Sequence, residues 1–302
     1  MDFYVSWYPG DPDYPRYDSD CSLLISITSV ARDWTTRQLV TFPRRLLIDS
    51  GGYRFAIAPH EALSPKQVLT RQLALLGGAE IPVIVCASDC PVLDPAAGSN
   101  TRDQHISQTI AFAYEFKNLI VQKGLASHVT PMAIIQGYDA DSFGFCANEL
   151  KLIGFPLYGV GSLAMLRQHA PIMQRVKSVT EVVGAPQVHI FGVSGVQTAR
   201  ALRNLGIHSI DSARPAKAAA YNEILYSQPF RRFGIWETAF EHNPMKGRIP
   251  FSRRLLAPLP CDCPACSQDA CGIMGVGQRA SIRNRTLHNY HHLKRTFCSD
   301  GD

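Results

Sequence analysis

Short apolar runs rich in β-branched residues alternate along the chain with longer amphipathic stretches. The runs have the composition of buried strands, and the stretches have the periodicity of helices with one apolar face. The predicted strands are residues 23–28, 45–49, 82–87, 131–136, 157–160, 187–193 and 207–211. The predicted helices are residues 64–77, 101–124, 142–153, 164–179 and 196–205.

This order predicts parallel βα units, in either a closed barrel or an open doubly wound sheet. No GxGxxG turn follows the first strands, which disfavours the open dinucleotide-binding sheet. We therefore expect an α/β fold, a closed barrel of the TIM type, preceded by an irregular, aromatic and proline-rich N-terminal segment. Barrel enzymes place their catalytic groups where strands end and the βα loops begin.

Composition narrows the class of protein. Apolar residues make up 46% of the chain and charged residues 18%, which excludes a largely disordered, collagen-like or coiled-coil protein. The sequence has neither a membrane-length apolar run nor a signal-peptide start, so we expect a cytoplasmic protein without a membrane partner.

The net charge of +5 is concentrated near the C-terminus. Residues 244–302 contain nine Lys or Arg against four Asp, so the whole excess lies there. Such a segment suits a polyanion such as nucleic acid, and a solvated basic face is the alternative. The candidate nucleic-acid-binding residues are Lys246, Arg248, Arg253 and Arg254.

Polar groups recur where the predicted strands end. They are Asp49, Asp89, Gln136, the turn Gly161-Ser162-Leu163, and Asp211. Any one of them could merely cap the next helix or shape a turn. Three aspartates at the same end of independent strands instead indicate a site at the barrel mouth.

The motifs carry a family resemblance when taken in order. DSGGY, SDCP, IIQG, GVGSLA, HIFGVSG, IDSA, C-x-C-x-x-C and LHN, spread over about residues 45–297, resemble the guanine transglycosylase family. That family exchanges guanine for 7-deazaguanine bases in nucleic acid. The resemblance implies a (β/α)8 barrel with a zinc-binding insertion near its C-terminus.

The resemblance also implies roles for single residues. Asp211 matches the nucleophile that holds the ribose covalently, and Asp49 matches the general acid/base. Asp89 and Gln136, with the adjoining Gly137, match the groups that bind the edge of the base.

Two aromatic residues match the pair that sandwiches the purine. They are Tyr53 and Phe191, and Phe191 stands where methionine is commoner. The Gly161-Ser162-Leu163 turn would contact the base through its backbone, and Ser162 replaces a more usual glycine.

Nine cysteines without an export signal are expected to be reduced thiols or metal ligands. Cys261, Cys263 and Cys266 are spaced to bind one tetrahedral zinc ion. His288, in the LHN motif, is the preferred fourth ligand, with His292 and Cys271 as alternatives. Four protein ligands would make this zinc structural. We expect a barrel body over residues 1–243 and a basic zinc-binding segment with a closing helix over 244–302.

The sequence also bears on whether the polymer substrate is DNA or tRNA. The chain has DSARPAK after Asp211, where the bacterial tRNA enzymes have Pro-Thr-Arg and a basic Arg-Asn-Gly run. It also ends soon after the zinc segment, without an archaeal-type RNA-binding domain. DNA is therefore favoured narrowly, with tRNA as the alternative and a 7-deazaguanine such as preQ0 as the incoming base. A non-catalytic zinc-containing nucleic-acid-binding subunit is a third hypothesis, and a homodimer or a partner protein stays open.

Overall fold

The computed structural model describes residues 1–93, 98–163, 166, 168–193, 195–235 and 254–298. Within these residues, eight parallel strands close into a barrel, as the alternating pattern predicts. The barrel strands are β1 (Asp2–Ser6), β2 (Ser22–Ser26), β3 (Arg45–Asp49), β4 (Val83–Cys86), β5 (Thr130–Ile135), β6 (Leu157–Val160), β7 (Val188–Ile190) and β8 (Ser209–Ser212).

Strand β1 closes the barrel and has no counterpart among the predicted strands. It pairs with β2 on one side and with β8 on the other, and Tyr4 is in register with both Ser22 and Asp211. Its five residues lie next to a proline-rich loop, so local sequence signals are weak. The strand forms because both neighbours satisfy its backbone groups over a long sequence separation.

The described residues form ten α-helices, and the longer ones cover the outside of the barrel. The ten are α1 (Tyr14–Tyr17), α2 (Gly52–Ile57), α3 (Pro65–Leu76), α4 (Ser99–Gln122), α5 (Ala140–Ile153), α6 (His169–Val183), α7 (Val196–Asn204), α8 (Arg214–Ala220), α9 (Pro264–Asp269) and α10 (Arg279–Cys298). The bounds of α3, α4, α5 and α7 lie within a few residues of those predicted. No helix among the described ranges is long and apolar enough to cross a membrane.

Helices α3 and α6 show where local signals were sufficient and where they were not. The Ser64 side chain caps α3 in a reciprocal capping box with Gln67, and Gly77 ends it at φ +60°. In contrast, α6 begins later than predicted and continues beyond Val179 to Val183. The β-branched residues at its end favour helix weakly, but Val183 is buried, and burial outweighs that preference.

The side chains of the barrel strands alternate between two apolar layers. Leu47 points inward, into a cluster with Tyr4, Leu24, Ile84 and Met132. Leu46 and Ile48 point outward into the larger core beneath the helices. Because the period is two residues, the inward rows of β1, β3, β5 and β8 end above the inner layer in polar groups, namely Ser6, Asp49, Gln136 and Asp211.

The C-terminal part begins with an antiparallel hairpin, β9 (Glu223–Ser227) and β10 (Phe230–Gly234). Helix α10 packs against this hairpin, α7, α8 and β1, so it completes the helical layer of the barrel. The expected domain boundary after residue 243 lies outside the described residues.

Arg285 joins α10 to the rest of the molecule. Its side chain is fully buried, and the guanidinium donates to the carbonyls of Ala219, Ile273 and Gly275 at 2.7–3.0 Å and to Asn222 Oδ1 at 3.1 Å. All these acceptors are neutral, and burial lowers the pKa of Arg285 to about 10. The planar fork suits this set of acceptors because its N–H groups point in fixed directions.

We expect Arg285→Lys to lower the free energy of unfolding by about 2–4 kcal/mol, because a lysine ammonium cannot reach the same carbonyls and leaves some of them unpaired. Urea-induced unfolding measures the change. The matched control is Arg283→Lys, on the exposed side of the same helix. Equal stability of the two variants would contradict this structural role.

Candidate active site and metal centre

The polar residues predicted at strand ends meet at the carboxyl end of the barrel. Asp49 and Asp211 lie at the ends of β3 and β8, and Asp89 and Gln136 follow β4 and β5. The Asp49 carboxylate is close enough to both other aspartates to interact with their charges. The structure therefore brings together three carboxyl groups and an amide in one small volume.

A chain of hydrogen bonds orients Asp89 and Gln136. The Ser50 hydroxyl donates to Asp89 Oδ1 at 2.8 Å, and Gln136 Nε2 donates to Asp89 Oδ2 at 2.6 Å. The Ser162 hydroxyl donates to Gln136 Oε1 at 2.5 Å and accepts from the Val92 N–H at 3.0 Å. The amide of Gln136 is thus fixed at both ends.

Ser162 replaces the more usual glycine of the turn at a price in backbone strain, since its φ is +55°. Its hydroxyl supplies the donor that fixes Gln136, which glycine could not. The neighbouring Gly161 cannot be replaced in the same way. A Cβ there would lie 2.3 Å from Gln136 Nε2. Leu163 completes the turn as a buried side chain.

Three other glycines make room at the site. A Cβ on Gly52 would lie 2.3 Å from Asp89 Oδ1, so the carboxylate depends on the bare backbone of α2. Gly51 adopts φ +83°, and its N–H donates to Asp49 Oδ2 at 3.0 Å. Gly137, next to Gln136, packs against Phe143, and a Cβ would lie 2.7 Å from that ring.

Burial and mutual repulsion raise the pKa values of two carboxyl groups. Burial raises the pKa of Asp89 to about 7, with a further contribution from the Asp49 charge, against hydrogen bonds from Ser50 and Gln136. Burial also raises the pKa of Asp49, and the Asp211 charge adds to it. The site can therefore hold a proton near neutral pH.

Asp211 is held by groups on three strands or loops. Its Oδ1 accepts from the Gly192 N–H at 2.8 Å, and its Oδ2 accepts from the Ser6 hydroxyl at 3.1 Å. Nε2 of His189 lies 3.5 Å from Oδ1. Sequence analysis missed Ser6, which ends the unpredicted strand β1. It also missed His189. In HIFGVSG, His189 lies two residues before Phe191, so the two side chains point to the same inner face of the strand.

The two predicted aromatic residues occupy different depths. The side chain of Tyr53 is 58% exposed on α2, whereas Phe191 is half-buried at the top of the inner layer. The Phe191 ring lies over Gly159, where a Cβ would be 2.4 Å away, and edge-on to His189.

Tyr8 is a third aromatic residue at the mouth, and sequence analysis missed it because it follows β1. Burial raises the pKa of Tyr8, and the charges of Asp211 and Asp49 add to this. The same loop contains Asp11, whose carboxylate accepts from the Tyr8 N–H at 3.0 Å. Burial raises the pKa of Asp11 to about 6, while Arg283 on α10 opposes the shift.

Three of the predicted nucleic-acid-binding residues, Lys246, Arg248 and Arg253, lie outside the described residues. Arg254 is described and exposed, and it bridges to Gly234 at the end of β10. Exposed basic groups also flank the Tyr8 loop. A Cβ on Gly10 would lie 3.6 Å from the guanidinium of Arg279, one turn before Arg283.

The second candidate site is a cluster of three cysteines and a histidine. The ligand atoms of Cys261, Cys263, Cys266 and His288 all lie within 4.8 Å of one another, so they could hold a metal ion. His288 Nε2 donates to the Leu225 carbonyl at 2.8 Å, which leaves the Nδ1 lone pair for the metal. Nδ1 is 3.3 Å from the sulfur atoms of Cys263 and Cys266.

His292 lies beside this cluster in a different role. Its Nδ1 accepts from the Ser227 N–H at 3.1 Å, so the ring proton is on Nε2, which is 3.1 Å from Cys261 Sγ. A protonated nitrogen cannot bind a metal, but it can donate to the thiolate. Cys271 is exposed and lies outside the set. The geometry therefore supports His288 over both alternatives.

The family model for queuine tRNA-ribosyltransferase matches residues 26–299, which includes every predicted site residue. The chain belongs to this family. Members of the queuine tRNA-ribosyltransferase family are transglycosylases, pentosyltransferases that exchange a base on nucleic acid. No curated protein sequence matches the chain.

Loss of each histidine in turn tests which of the two is the fourth ligand of the candidate metal site. We expect His288→Ala to lose the metal ion and His292→Ala to retain it with an affinity about 10–100-fold weaker, because loss of an outer hydrogen bond weakens a site without removing a ligand. Elemental analysis and chelator competition measure both effects, and Cys271→Ser is the control. Retention by His288→Ala together with loss by His292→Ala would reverse the assignment.

The raised pKa of Asp89 makes the free energy of unfolding depend on pH. The pKa of Asp89 is higher in the folded protein, about 7, than its ordinary value of 3.8. The folded state therefore binds the proton more tightly, and the free energy of unfolding falls as pH rises between these values.

Asp89→Asn removes this term, so the wild type should lose about 2 kcal/mol more than the variant between pH 5 and pH 8. Urea-induced unfolding at both pH values measures the difference. Asp33→Asn, at an exposed position, should follow the wild type. Parallel pH dependence of the wild type and Asp89→Asn would contradict the raised pKa.

Proposed function

We propose that this transglycosylase replaces guanine in nucleic acid with a 7-deazaguanine base through a covalent bond between Asp211 and the ribose or deoxyribose. The observation that carries the proposal is the placement of Asp211. Its carboxylate is held by the Gly192 N–H and the Ser6 hydroxyl at the mouth, beside a second carboxyl group with a raised pKa.

The first step transfers the sugar to the protein. A carboxylate oxygen of Asp211 attacks C1′, the bond from C1′ to the guanine nitrogen breaks, and its electron pair leaves with the base. Asp49 supplies a proton to the departing guanine. Its raised pKa suits this role because the acid must hold a proton near the working pH.

The second step reverses the first with a different base. The 7-deazaguanine gives its ring N–H proton to the Asp49 carboxylate and attacks C1′, and the electron pair of the ester bond returns to Asp211. Each half of the cycle therefore returns Asp49 and Asp211 to the protonation states that the other half requires.

Asp89 and Gln136 are proposed to bind the polar edge of the base. An ionised Asp89 accepts from the N–H groups of a guanine-like ring, while the fixed Gln136 amide offers both a donor and an acceptor. The ring would lie between Phe191 below and the exposed Tyr53 above, where stacking contributes about 1–3 kcal/mol. Gly137 and the Gly161-Ser162-Leu163 turn would line the edge of this pocket.

DNA is the proposed polymer, narrowly. The segment after Asp211 folds back on the C-terminal hairpin, where Arg214 lies 3.6 Å from Glu223 and over the Phe230 ring. The charge of Arg214 is therefore used in a contact within the protein. The bacterial tRNA enzymes have a basic run in this part of the chain instead. The name of the family model favours the alternative, tRNA.

Exposed basic groups beside the mouth support nucleic-acid binding in either case. Arg279 and Arg283 flank the loop that carries Tyr8, whose phenol faces the carboxylates. We propose that they contact phosphates next to the target nucleotide, together with Lys246, Arg248, Arg253 and Arg254. A paired target must also swing out of its stack, at a cost of a few kcal/mol.

Zinc is the proposed metal, because three thiolates and a neutral imidazole form a set that zinc prefers. Burial lowers the pKa of His288, which keeps the ring neutral and able to bind. With four protein ligands, zinc would stabilise the C-terminal segment and leave the chemistry to the aspartates.

The decisive experiment incubates the protein with labelled guanine and duplex DNA, melted DNA or bulk tRNA under matched salt. We expect label in DNA, faster in the melted form, and a covalent protein–DNA adduct on a denaturing gel. Asp211→Asn should abolish both, because an amide is a poor nucleophile, while nucleic-acid binding is retained. Asp33→Asn is the matched control.

Label in tRNA alone would replace DNA by tRNA and leave the mechanism in place. Binding without exchange into any polymer would support the non-catalytic subunit instead. Near-wild-type exchange by Asp211→Asn would overturn the assignment of the nucleophile.

A further inference from the structure

His189 lies at the centre of the barrel mouth, directly beside Asp211. It is the middle residue of β7, between the outward Val188 and Ile190, and it is 1% exposed. In register it lies between Gly159 on β6 and Ser209 on β8. The absence of a side chain at Gly159 leaves room for the rings of this strand.

Both ring nitrogens of His189 face β8. Nδ1 is 2.8 Å from the Ser209 hydroxyl, and Nε2 is 3.5 Å from Asp211 Oδ1. Ser209 and Asp211 are two residues apart, so they share the inner face of the strand. Edge-on packing against Tyr4 and Phe191 holds the plane of the imidazole.

The position of the ring proton follows from these neighbours. Nε2 is buried and has no hydrogen-bond partner among the residues described, and the nearest polar atom on β8 is a carboxylate oxygen. A lone pair on Nε2 would face that oxygen, whereas an N–H would point at it. The favourable arrangement has the Ser209 hydroxyl donating to Nδ1 and the proton on Nε2.

The two oxygens of Asp211 then differ in how firmly their hydrogen-bond donors hold them. Oδ1 faces the Gly192 N–H, fixed by the backbone, and the Nε2–H of His189. Among the residues that the structure describes, only the Ser6 hydroxyl donates to Oδ2, and its hydrogen can rotate away. An oxygen that forms a bond to carbon needs an available lone pair: two donors face the two lone pairs of Oδ1, whereas one donor at Oδ2 leaves a lone pair for the attack.

We propose that His189 is a positioning residue for the nucleophile: with Gly192 it holds Oδ1 of Asp211, so that Oδ2 forms the bond to C1′. This inference rests on the proposed base exchange. When Oδ2 bonds to C1′, the base leaves with the electron pair and Oδ1 becomes the ester carbonyl, still facing both donors. When the new base attacks, the Oδ2–C1′ electron pair returns to the carboxylate. His189 keeps its proton throughout.

The first test compares His189→Phe with His189→Gln. Phe preserves the ring without a donor, and the Gln amide nitrogen can replace Nε2. We expect His189→Phe to lower kcat about 10–100-fold with KM unchanged, the value of a hydrogen bond to a charged group, and His189→Gln to keep most of the wild-type kcat. His208→Gln, before β8 at the opposite end of the barrel, is the control. Equal kcat values for the Phe and Gln variants would overturn the proposal.

The second test needs no substrate. In protein labelled with ¹⁵N-histidine, NMR should show His189 with its proton on Nε2, and Asp211→Asn should shift this signal. The His189→Gln variant identifies the signal by its loss. A proton on Nδ1 would overturn the contact with Asp211 whether or not the protein exchanges guanine. Failure of the wild type to exchange any base would overturn the proposed function alone.

Discussion

The crowding of three carboxyl groups at one end of a closed parallel barrel is the constraint on which the rest of the site depends. The inward-facing rows of parallel strands end at the same mouth of the barrel. The charges of Asp49 and Asp211 therefore interact. Burial strengthens that field because water is excluded. Such a site persists only if each carboxylate finds donors or holds a proton.

The structure uses both solutions. The backbone N–H of Gly51 donates to Asp49, and that of Gly192 donates to Asp211. These donors are fixed, so the backbone has to pass close to each carboxylate. Asp89 has side-chain donors, but burial and then the charge of Asp49 raise its pKa to about 7. The raised pKa values of Asp49 and Asp89 suit the proposed reaction, in which one carboxylate attacks carbon while another carboxyl group carries a proton.

The barrel and most of the mouth were predictable from sequence because their signals are local. Asp49, Asp89, Gln136 and Asp211 each follow an apolar run, and strand order alone places them together. Ser6 and Tyr8 were not predictable, since β1 is recognisable only through its pairing with β2 and β8.

The fourth ligand of the candidate metal site could not be chosen from sequence spacing. The spacing of three cysteines indicates a candidate metal site, but His288 and His292 lie one helical turn apart on α10 and both face it. Only the hydrogen bonds of their second nitrogens separate them: His288 is anchored through Nε2 to Leu225, and His292 through Nδ1 to Ser227. Sequence spacing contains no information about which nitrogen carries the proton.

The same helix connects the metal cluster to the chemistry. Helix α10 carries His288 and packs against β1, and β1 ends in Ser6, which donates to Asp211. Arg285 and Asn289, both buried on α10, bind backbone groups around α8 and the start of β9, the segments that follow β8. A metal ion that fixes α10 would therefore act on the segments on both sides of Asp211, the proposed nucleophile. Such an ion would contribute to the proposed reaction through closure of the barrel, at a distance from the reacting atoms.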